Sequence, residues 1–256
     1  MKPYDHNVTS LSQQRVACKD CGLFELCIPV GIQPGELELL DRIIKRRKPL
    51  KRGEHIFHLG SSFNGICAIR SGSVKTYVPT EDGLEQVTGF HLPGELLGLE
   101  AINSGQHGCS AKVLETTNLC EIPYSALAEL GERIPSLQQQ LLTVMSKELL
   151  HDQQIMLLLG KKSAEERLAA MLLNLSIRYQ QREFSPVDFH LSMSRNDIAN
   201  YLGLAVETVS RLFSRFQDEK LLSVQRKHIK ILDLEGLRTL SCSHKGSEGK
   251  VGRSAG

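Results

Sequence analysis

The sequence predicts an α+β chain with a β-roll in its N-terminal half, one long helix after it, and a C-terminal winged helix-turn-helix. Three observations carry this. Between Gly53 and Ile122, short alternating runs such as HIFHLG, GICAIR and SVKTYVP are separated by turn signals (RSGS, EDG, LPGE, NSG), the texture of a roll of short strands. Residues 134–159 repeat apolar positions at three- and four-residue spacing, as one continuous helix does. Ser194–Phe213, SRNDIANYLGLAVETVSRLF, reads as two short helices around a tight turn.

Composition sets the bounds. With 256 residues, 41% hydrophobic and 23% charged, the chain can build two small domains with real cores. The net charge is only +2, but residues 161–256 hold 16 Lys and Arg against 11 Asp and Glu. That leaves a net negative N-terminal part, so a surface for a polyanion belongs in the C-terminal part. No apolar run approaches the ~20 residues of a membrane span. The N-terminal MKPYDHNVTSLSQQRV lacks the apolar core of a secretory signal, so a cytoplasmic protein is expected. Seven cysteines is an odd number, and three of them, Cys18, Cys21 and Cys27, fall within ten residues. In a cytoplasmic chain this favours metal ligation or redox chemistry over a disulfide framework.

The elements follow in order. Residues 1–30 form a polar start and a cysteine-rich segment, CKDCGLFELCIPV. A roll domain takes 31–133. It opens with a helix over Pro34–Ile44, whose Leu37, Leu40, Ile43 and Ile44 share one face, followed by the basic run KRRKPLKR. Within the strands, PGELLGLEAI predicts a tight turn into a short helix. The long helix covers 134–160. Leu142, Met145, Leu149, Met156 and Leu159 form a seam with Gln138 and Asp152 in its gaps, an a/d pattern over about three heptads. A second stripe of Leu137, Leu141, Val144, Leu150 and Leu157 is placed to pack on the roll. A helix buried in its own domain explains one stripe; two stripes favour a homodimer seam. In a symmetric parallel dimer the two Asp152 carboxylates approach each other, which keeps pairing marginal. The winged helix-turn-helix takes 161–240. It starts with an amphipathic helix near Ser163 (KKSAEERLAAMLLNLSIRYQQR) and ends in two wing strands within LLSVQRKHIKILDL. Residues 241–256 are Gly-, Ser- and Lys-rich and are expected to be a disordered tail.

Inside Ser194–Phe213, Ser194 is a natural N-cap and Asp197 completes a capping-box-like start. Ile198, Ala199 and Leu202 share a face, and Gly203 stands where the first helix must end. The second helix runs from about Val206, with Val209, Leu212 and Phe213 apolar. Val206, Glu207, Ser210 and Arg211 are left on its outer face near its start, the part that enters a major groove. Arg can bridge guanine O6 and N7, and Glu can accept from cytosine N4. From Lys161 to Leu232 there are 12 Lys and Arg against 8 Asp and Glu, which suits double-stranded DNA. Lys162, Arg167 and Lys227 are candidate phosphate contacts.

Together CKDCGLFELCIP, GFHLPGELLGLEAI, KKSAEERLAAMLLNLS and NYLGLAVETVSRLF resemble the FNR family of anaerobic regulators, and among them the pseudomonad ANR type, within the CRP-like superfamily. The similarity runs from about Cys18 to Leu240. It implies a cyclic-nucleotide-binding-like roll acting as sensor. It also implies one 4Fe–4S cluster per chain, with ligands matching Cys18, Cys21, Cys27 and Cys120, the last in NLCEIPY. In that family the clustered protein dimerises and binds palindromic promoter sites of the TTGAT-N4-ATCAA type, and oxygen destroys the cluster. The base contacts carry over to Glu207, Ser210 and Arg211, with Val206 beside them. A surface for RNA polymerase carries over to the loop Glu81–Gln86.

Residue chemistry alone leaves alternatives open. Thiolates hold zinc as well as iron–sulfur clusters, so a CRP-like regulator with a structural metal or a thiol-redox switch is the competing reading. A ferredoxin-like electron relay belongs to another class, and the helix-turn-helix argues against it. Cys67, Cys109 and Cys242 are not expected to ligate, and Cys67 reads as core. A cyclic nucleotide is not expected, because the stretch GCSA has Cys109 where nucleotide-binding relatives place the arginine that clasps the phosphate. No enzyme is expected: the nine histidines are scattered, and no Ser/His/Asp set, phosphate loop or zinc-protease motif appears.

Overall fold

The computed structural model describes residues 17–242. Along the chain come α1 (Pro34–Ile43), β1 (Lys45–Arg46), β2 (His55–Phe57), β3 (Gly65–Ser71), β4 (Val74–Pro79), β5 (Glu85–His91), β6 (Leu96–Leu97), β7 (Ser110–Val113), β8 (Asn118–Pro123), α2 (Tyr124–Arg133) and α3 (Pro135–Lys161). After them come α4 (Ala164–Gln180), β9 (Asp188–His190), α5 (Arg195–Leu202), α6 (Val206–Asp218), β10 (Leu222–Gln225), β11 (His228–Ile231) and α7 (Leu234–Cys242). Contacts divide the chain into two units. One reaches to Gln154 and includes Ser192–Tyr201; the other takes Ile155–Leu191 and the chain from Leu202 onward.

The first unit is the expected roll, two antiparallel sheets of strand order β1-β8-β3-β6 and β2-β7-β4-β5. Side chains on a strand alternate between faces, and β3 uses both. Cys67 and Ile69 join Val74, Leu97, Ala111, Val113 and Leu119 in one core. Ile66 and Ala68 face the other way, into a core with Leu37 and Leu40 of α1, Ile122 of β8, Leu127 of α2 and Leu137 of α3. A glycine opens β3 because a Cβ at Gly65 would stand 2.3 Å from the Ile122 carbonyl oxygen. Helix α2 lies within the stretch read as roll; its buried Leu127 and Leu130 are too few to announce a helix by spacing.

Helix α3 is continuous over 27 residues, about 40 Å long. Its second apolar stripe does not pack on the roll along its whole length. Leu137 is buried, and Leu141 and Val144 pack against the helical core. Leu150 and Leu157 are 56% and 65% exposed. The helix continues well beyond the core that covers its first turns.

The segment Ser192–Tyr201 is tied into the first unit by polar contacts. The Asn200 carboxamide accepts from the Val87 N–H at 2.5 Å and donates to the Glu85 carbonyl, while Gln86 Nε2 donates to the Asn200 carbonyl at 3.1 Å. Lys75 Nζ donates to Glu85 at 2.5 Å and to Asp197 at 2.8 Å. Asp197 also accepts from the N–H and hydroxyl of Ser194, which in turn caps Asp197 N–H, the expected reciprocal start of α5.

The second unit is built on α4, whose Leu168, Ala169, Leu172 and Leu175 are buried. Ser163 caps this helix in a reciprocal capping box with Glu166. Val209, Phe213 and Phe216 of α6 and Leu237 of α7 are also buried. The wing has three strands, order β10-β11-β9, not two. Three-residue β9 is too short to show a period. Helix α7 runs through Ser241 and Cys242, which the sequence placed in the tail; the rest of that tail, and residues 1–16, lie outside the described residues.

Burial raises the Asp197 carboxyl, but its bonds from Lys75 and Ser194 outweigh this and hold it below the usual carboxylate range. The charged form therefore stabilises the fold above the unfolded value of about 4, and that contribution is lost as pH falls through the lower folded value. Asp197→Ala is expected to cost about 1–3 kcal/mol at neutral pH. The deficit should shrink once the native carboxyl is protonated, which urea unfolding at neutral and strongly acidic pH measures.

Candidate cysteine centre and nucleic-acid interface

The cysteine-rich segment consists of two single 3₁₀ turns, Cys18–Asp20 and Phe24–Leu26. Ile28 and Ile32, both buried in the core shared with α1 and β8, anchor the chain just after Cys27. A carboxylate on α1 fixes the start: Cys18 N–H donates to Asp41 Oδ1 at 3.1 Å, and Arg46 Nη2 donates to the same oxygen at 2.5 Å. Arg46 is in turn the cross-strand partner of Cys120. Neither Asp41 nor Arg46 was singled out by the sequence; Arg46 was one charge in a basic run.

Alternation on β8 decides where the distant cysteine looks. Leu119 turns into the inner core, while Cys120 and Ile122 turn to the helical side. Cys18, Cys21, Cys27 and Cys120 thereby line a single cavity, whose walls are otherwise mainly apolar, with Phe24, Leu40, Ala68 and Ile122 among them. The cavity is small, about 40 Å³. Among the described residues no group of three or more His, Cys, Asp or Glu side chains stands close enough to grip one metal ion. A group larger than a few waters therefore requires the two single turns to sit further from β8, and single turns yield at little cost. The other cysteines are elsewhere. Cys67 is in the inner core, on the strand beside Cys120 but on the opposite face. Cys109 reaches Glu100 at 3.8 Å, and Cys242 is exposed at the end of α7.

Burial pushes the Cys18 thiol up to about 12, with the neighbouring Asp41 carboxylate adding to the rise. Burial likewise takes Cys27 to about 12, opposed by the Ile28 N–H. Burial also raises Cys120, but the Arg46 and Arg70 guanidiniums oppose it. These thiols prefer to be neutral in the absence of a cation. Four soft donors in an apolar wall, with two guanidiniums beside one of them, suit a group that brings its own positive charge and takes thiolates.

The predicted DNA-reading residues sit on one helix. Ser194-capped α5 ends at Leu202, Gly203 adopts φ +62° as the turn requires, and α6 begins at Val206. Val209, Phe213 and Phe216 are buried on its inner side. Glu207, Ser210 and Arg211 are exposed and Val206 is half-buried. Ser210 Oγ donates to the Val206 carbonyl at 2.9 Å. Among the described residues neither Glu207 nor Arg211 is held in an ion pair. Two of the candidate phosphate contacts are engaged internally instead: Lys162 Nζ donates to the Ser241 carbonyl at 2.7 Å, and Arg167 donates to backbone carbonyls. On α3, Leu142, Met145, Leu149 and Met156 are 42–64% exposed, and Asp152 is exposed among them. Of the stretch 81–86, residues 81–84 form the tip of the β4–β5 hairpin, with Leu84 64% exposed, and Glu85 and Gln86 open β5, paired with Pro79 and Val78. No described helix is long and apolar enough to cross a membrane.

Comparison with known proteins places these features. Residues 166–240 match the Crp-like helix-turn-helix domain and residues 47–133 match the cyclic nucleotide-binding domain. The chain is 52% identical over 216 residues to the transcriptional activator protein Anr of Pseudomonas protegens, covering 84% of this chain and 88% of that protein. It is 49% identical over 233 residues to the fumarate and nitrate reduction regulatory protein of Vibrio cholerae, covering 91% and 93%. Among solved structures it is similar to FixK2 from Bradyrhizobium japonicum, with a TM-score of 0.72 and 29% identity, covering 78% of this chain and 98% of that one.

Replacing the exposed guanidinium is expected to be base-specific. Arg211→Ala should weaken binding to a TTGAT-containing duplex by about 1–3 kcal/mol and flatten discrimination at the guanine. Fluorescence anisotropy on duplexes varied at each position reads this; an equal loss on all sequences marks a phosphate contact instead.

Proposed function

Because the chain belongs to the FNR family of CRP/FNR transcription regulators, we propose that it is an oxygen-responsive activator with its sensor at Cys18, Cys21, Cys27 and Cys120. The observation that carries this is the convergence of those four thiols, and none of the other three, on one cavity wall. These residues hold one 4Fe–4S cluster per chain, and when bound the group supplies the oxygen-labile iron–sulfur chemistry to which the regulator responds. The chain's own residues do the rest. Ile28 and Ile32 seat the segment on the core shared with α3, and Asp41 and Arg46 hold its first cysteine near β8. The same core packs Leu137, Leu141 and Val144 of α3, so displacement of the segment is felt where the long helix begins.

The exposed seam on α3 pairs two copies of the chain. Four large apolar side chains left in water on one helix are unfavourable unless covered. Pairing sets two α6 helices to read the two halves of an inverted TTGAT repeat, with Val206, Glu207, Ser210 and Arg211 at the bases. The stretch 81–86 is offered to RNA polymerase. The regulator works in the cytoplasm and is not an enzyme. The domains we propose are segment 1–30, roll 31–133, long helix 134–160 and a winged helix-turn-helix from 161 to the end of α7 at Cys242. The roll takes no cyclic nucleotide: at the position of the phosphate-clasping arginine stands Cys109, against the carboxylate of Glu100, which repels a phosphate.

The decisive experiment is anaerobic purification with iron and sulfide assays and an absorption spectrum, before and after air. About four irons per chain, bleaching in air and loss of TTGAT-site binding are expected. One zinc per chain and an air-indifferent DNA complex would overturn the oxygen sensor and leave a structural metal at the same cysteines. Cys120→Ser is expected to abolish iron retention, whereas Cys242→Ser leaves it intact. If the paired Asp152 carboxylates hold dimerisation at the margin, Asp152→Ala shifts the air-treated protein from monomer towards dimer in sedimentation velocity; an unchanged profile assigns Asp152 to solvent.

A further inference from the structure

Arg167 sits in the first turn of α4, and by sequence it is a surface cation near a DNA-binding motif. The structure gives its guanidinium another task. Nη2 donates to the Leu159 carbonyl at 2.7 Å and Nε to the Lys162 carbonyl at 3.0 Å, both at the C-terminal end of α3. Nη1 donates to the Leu202 carbonyl at 2.9 Å, at the end of α5 and immediately before the Gly203 turn that leads into α6. A helix leaves its last carbonyls without intrahelical partners and carries partial negative charge there. One planar, permanently charged fork thus serves the carboxyl-terminal ends of two different helices from the amino-terminal end of a third. Few side chains can do this. Lysine offers a single point charge, and only arginine spreads five donors in a fixed plane.

The surroundings brace this arrangement. Ser163 and Glu166 form the capping box that fixes the turn on which Arg167 stands. Beside it, Lys162 Nζ ties the same junction to the Ser241 carbonyl in the last turn of α7.

We propose that Arg167 is the positioning residue that fixes the recognition helix relative to the last turn of the long helix. Its three bonds lock the end of α3 to the turn that starts α6. The inference rests on the reading of α3 as the pairing helix. Two α6 helices must meet half-sites about one turn of DNA apart, so a loose junction between α3 and α6 costs simultaneous engagement, not the contacts of a single α6 with its bases. Arg167 therefore acts on the cooperation of two half-sites, which distinguishes it from Arg211.

The test uses anaerobically prepared full-length protein, wild type, Arg167→Lys and Arg167→Gln. Sedimentation velocity gives the oligomeric state, and anisotropy gives affinity for the TTGAT-N4-ATCAA duplex and for a duplex with one half-site. Both variants are expected to remain dimeric and to lose about tenfold or more on the full site, with half-site affinity within about twofold of wild type. Unchanged full-site affinity overturns the proposal. So does an equal loss on both duplexes, or unfolding of both variants by circular dichroism, since either marks Arg167 as a support of the local fold only. A wild type that sediments as a monomer while binding the full site tightly overturns the pairing of α3, which is a separate outcome.

Discussion

The structure depends on one constraint: the sheet β1-β8-β3-β6 is covered on both faces, so Ile66, Cys67, Ala68 and Ile69 of β3 and Leu119, Cys120 and Ile122 of β8 are each committed to one core or the other. A shift of one residue in β8 would turn Cys120 into the roll and Leu119 out to the cysteine segment. The register Ala68↔Cys120 and Arg46↔Cys120 therefore sets the candidate metal centre as much as the thiols do. It also explains why Cys67, beside Cys120 on the next strand, stays out of it.

The helical face of that sheet collects α1, α2, the start of α3 and the segment carrying Cys27 into one apolar body. Such a body is close-packed and transmits displacement. Cys27 and Cys120 of the candidate metal centre and Leu137, Leu141 and Val144 of the long helix pack in or against this same core. Helix α3 then continues with large apolar side chains in water, the surface proposed above to pair two copies of the chain.

The polar groups near the DNA-reading motif divide into two kinds. Glu207 and Arg211 are exposed and outside any ion pair of the described residues, as the base contacts proposed for them require. Lys162 and Arg167, close in sequence to the same motif, are spent on backbone carbonyls at helix ends. Charge counting along the sequence cannot separate these, because both kinds are basic residues in an amphipathic stretch.

What the sequence determined by itself is what local chemistry controls. Ser194 capped α5 as its i+3 acid Asp197 indicated, α4 began next to Ser163, Gly203 took the left-handed turn between α5 and α6, and alternation with turn signals marked the strands of the roll. The FNR resemblance rested on stretches of these elements and on the cysteine segment CKDCGLFELCIP. The tertiary structure decided the rest. It set which face of β8 carries Cys120, and that Asp41 and Arg46 hold Cys18. It showed that Leu150 and Leu157 stay in water, and that α2, β9 and the end of α7 exist at all. Each of these depends on partners tens of residues away, or on elements too short for a period, and burial against a distant neighbour leaves no mark on the spacing of nearby residues.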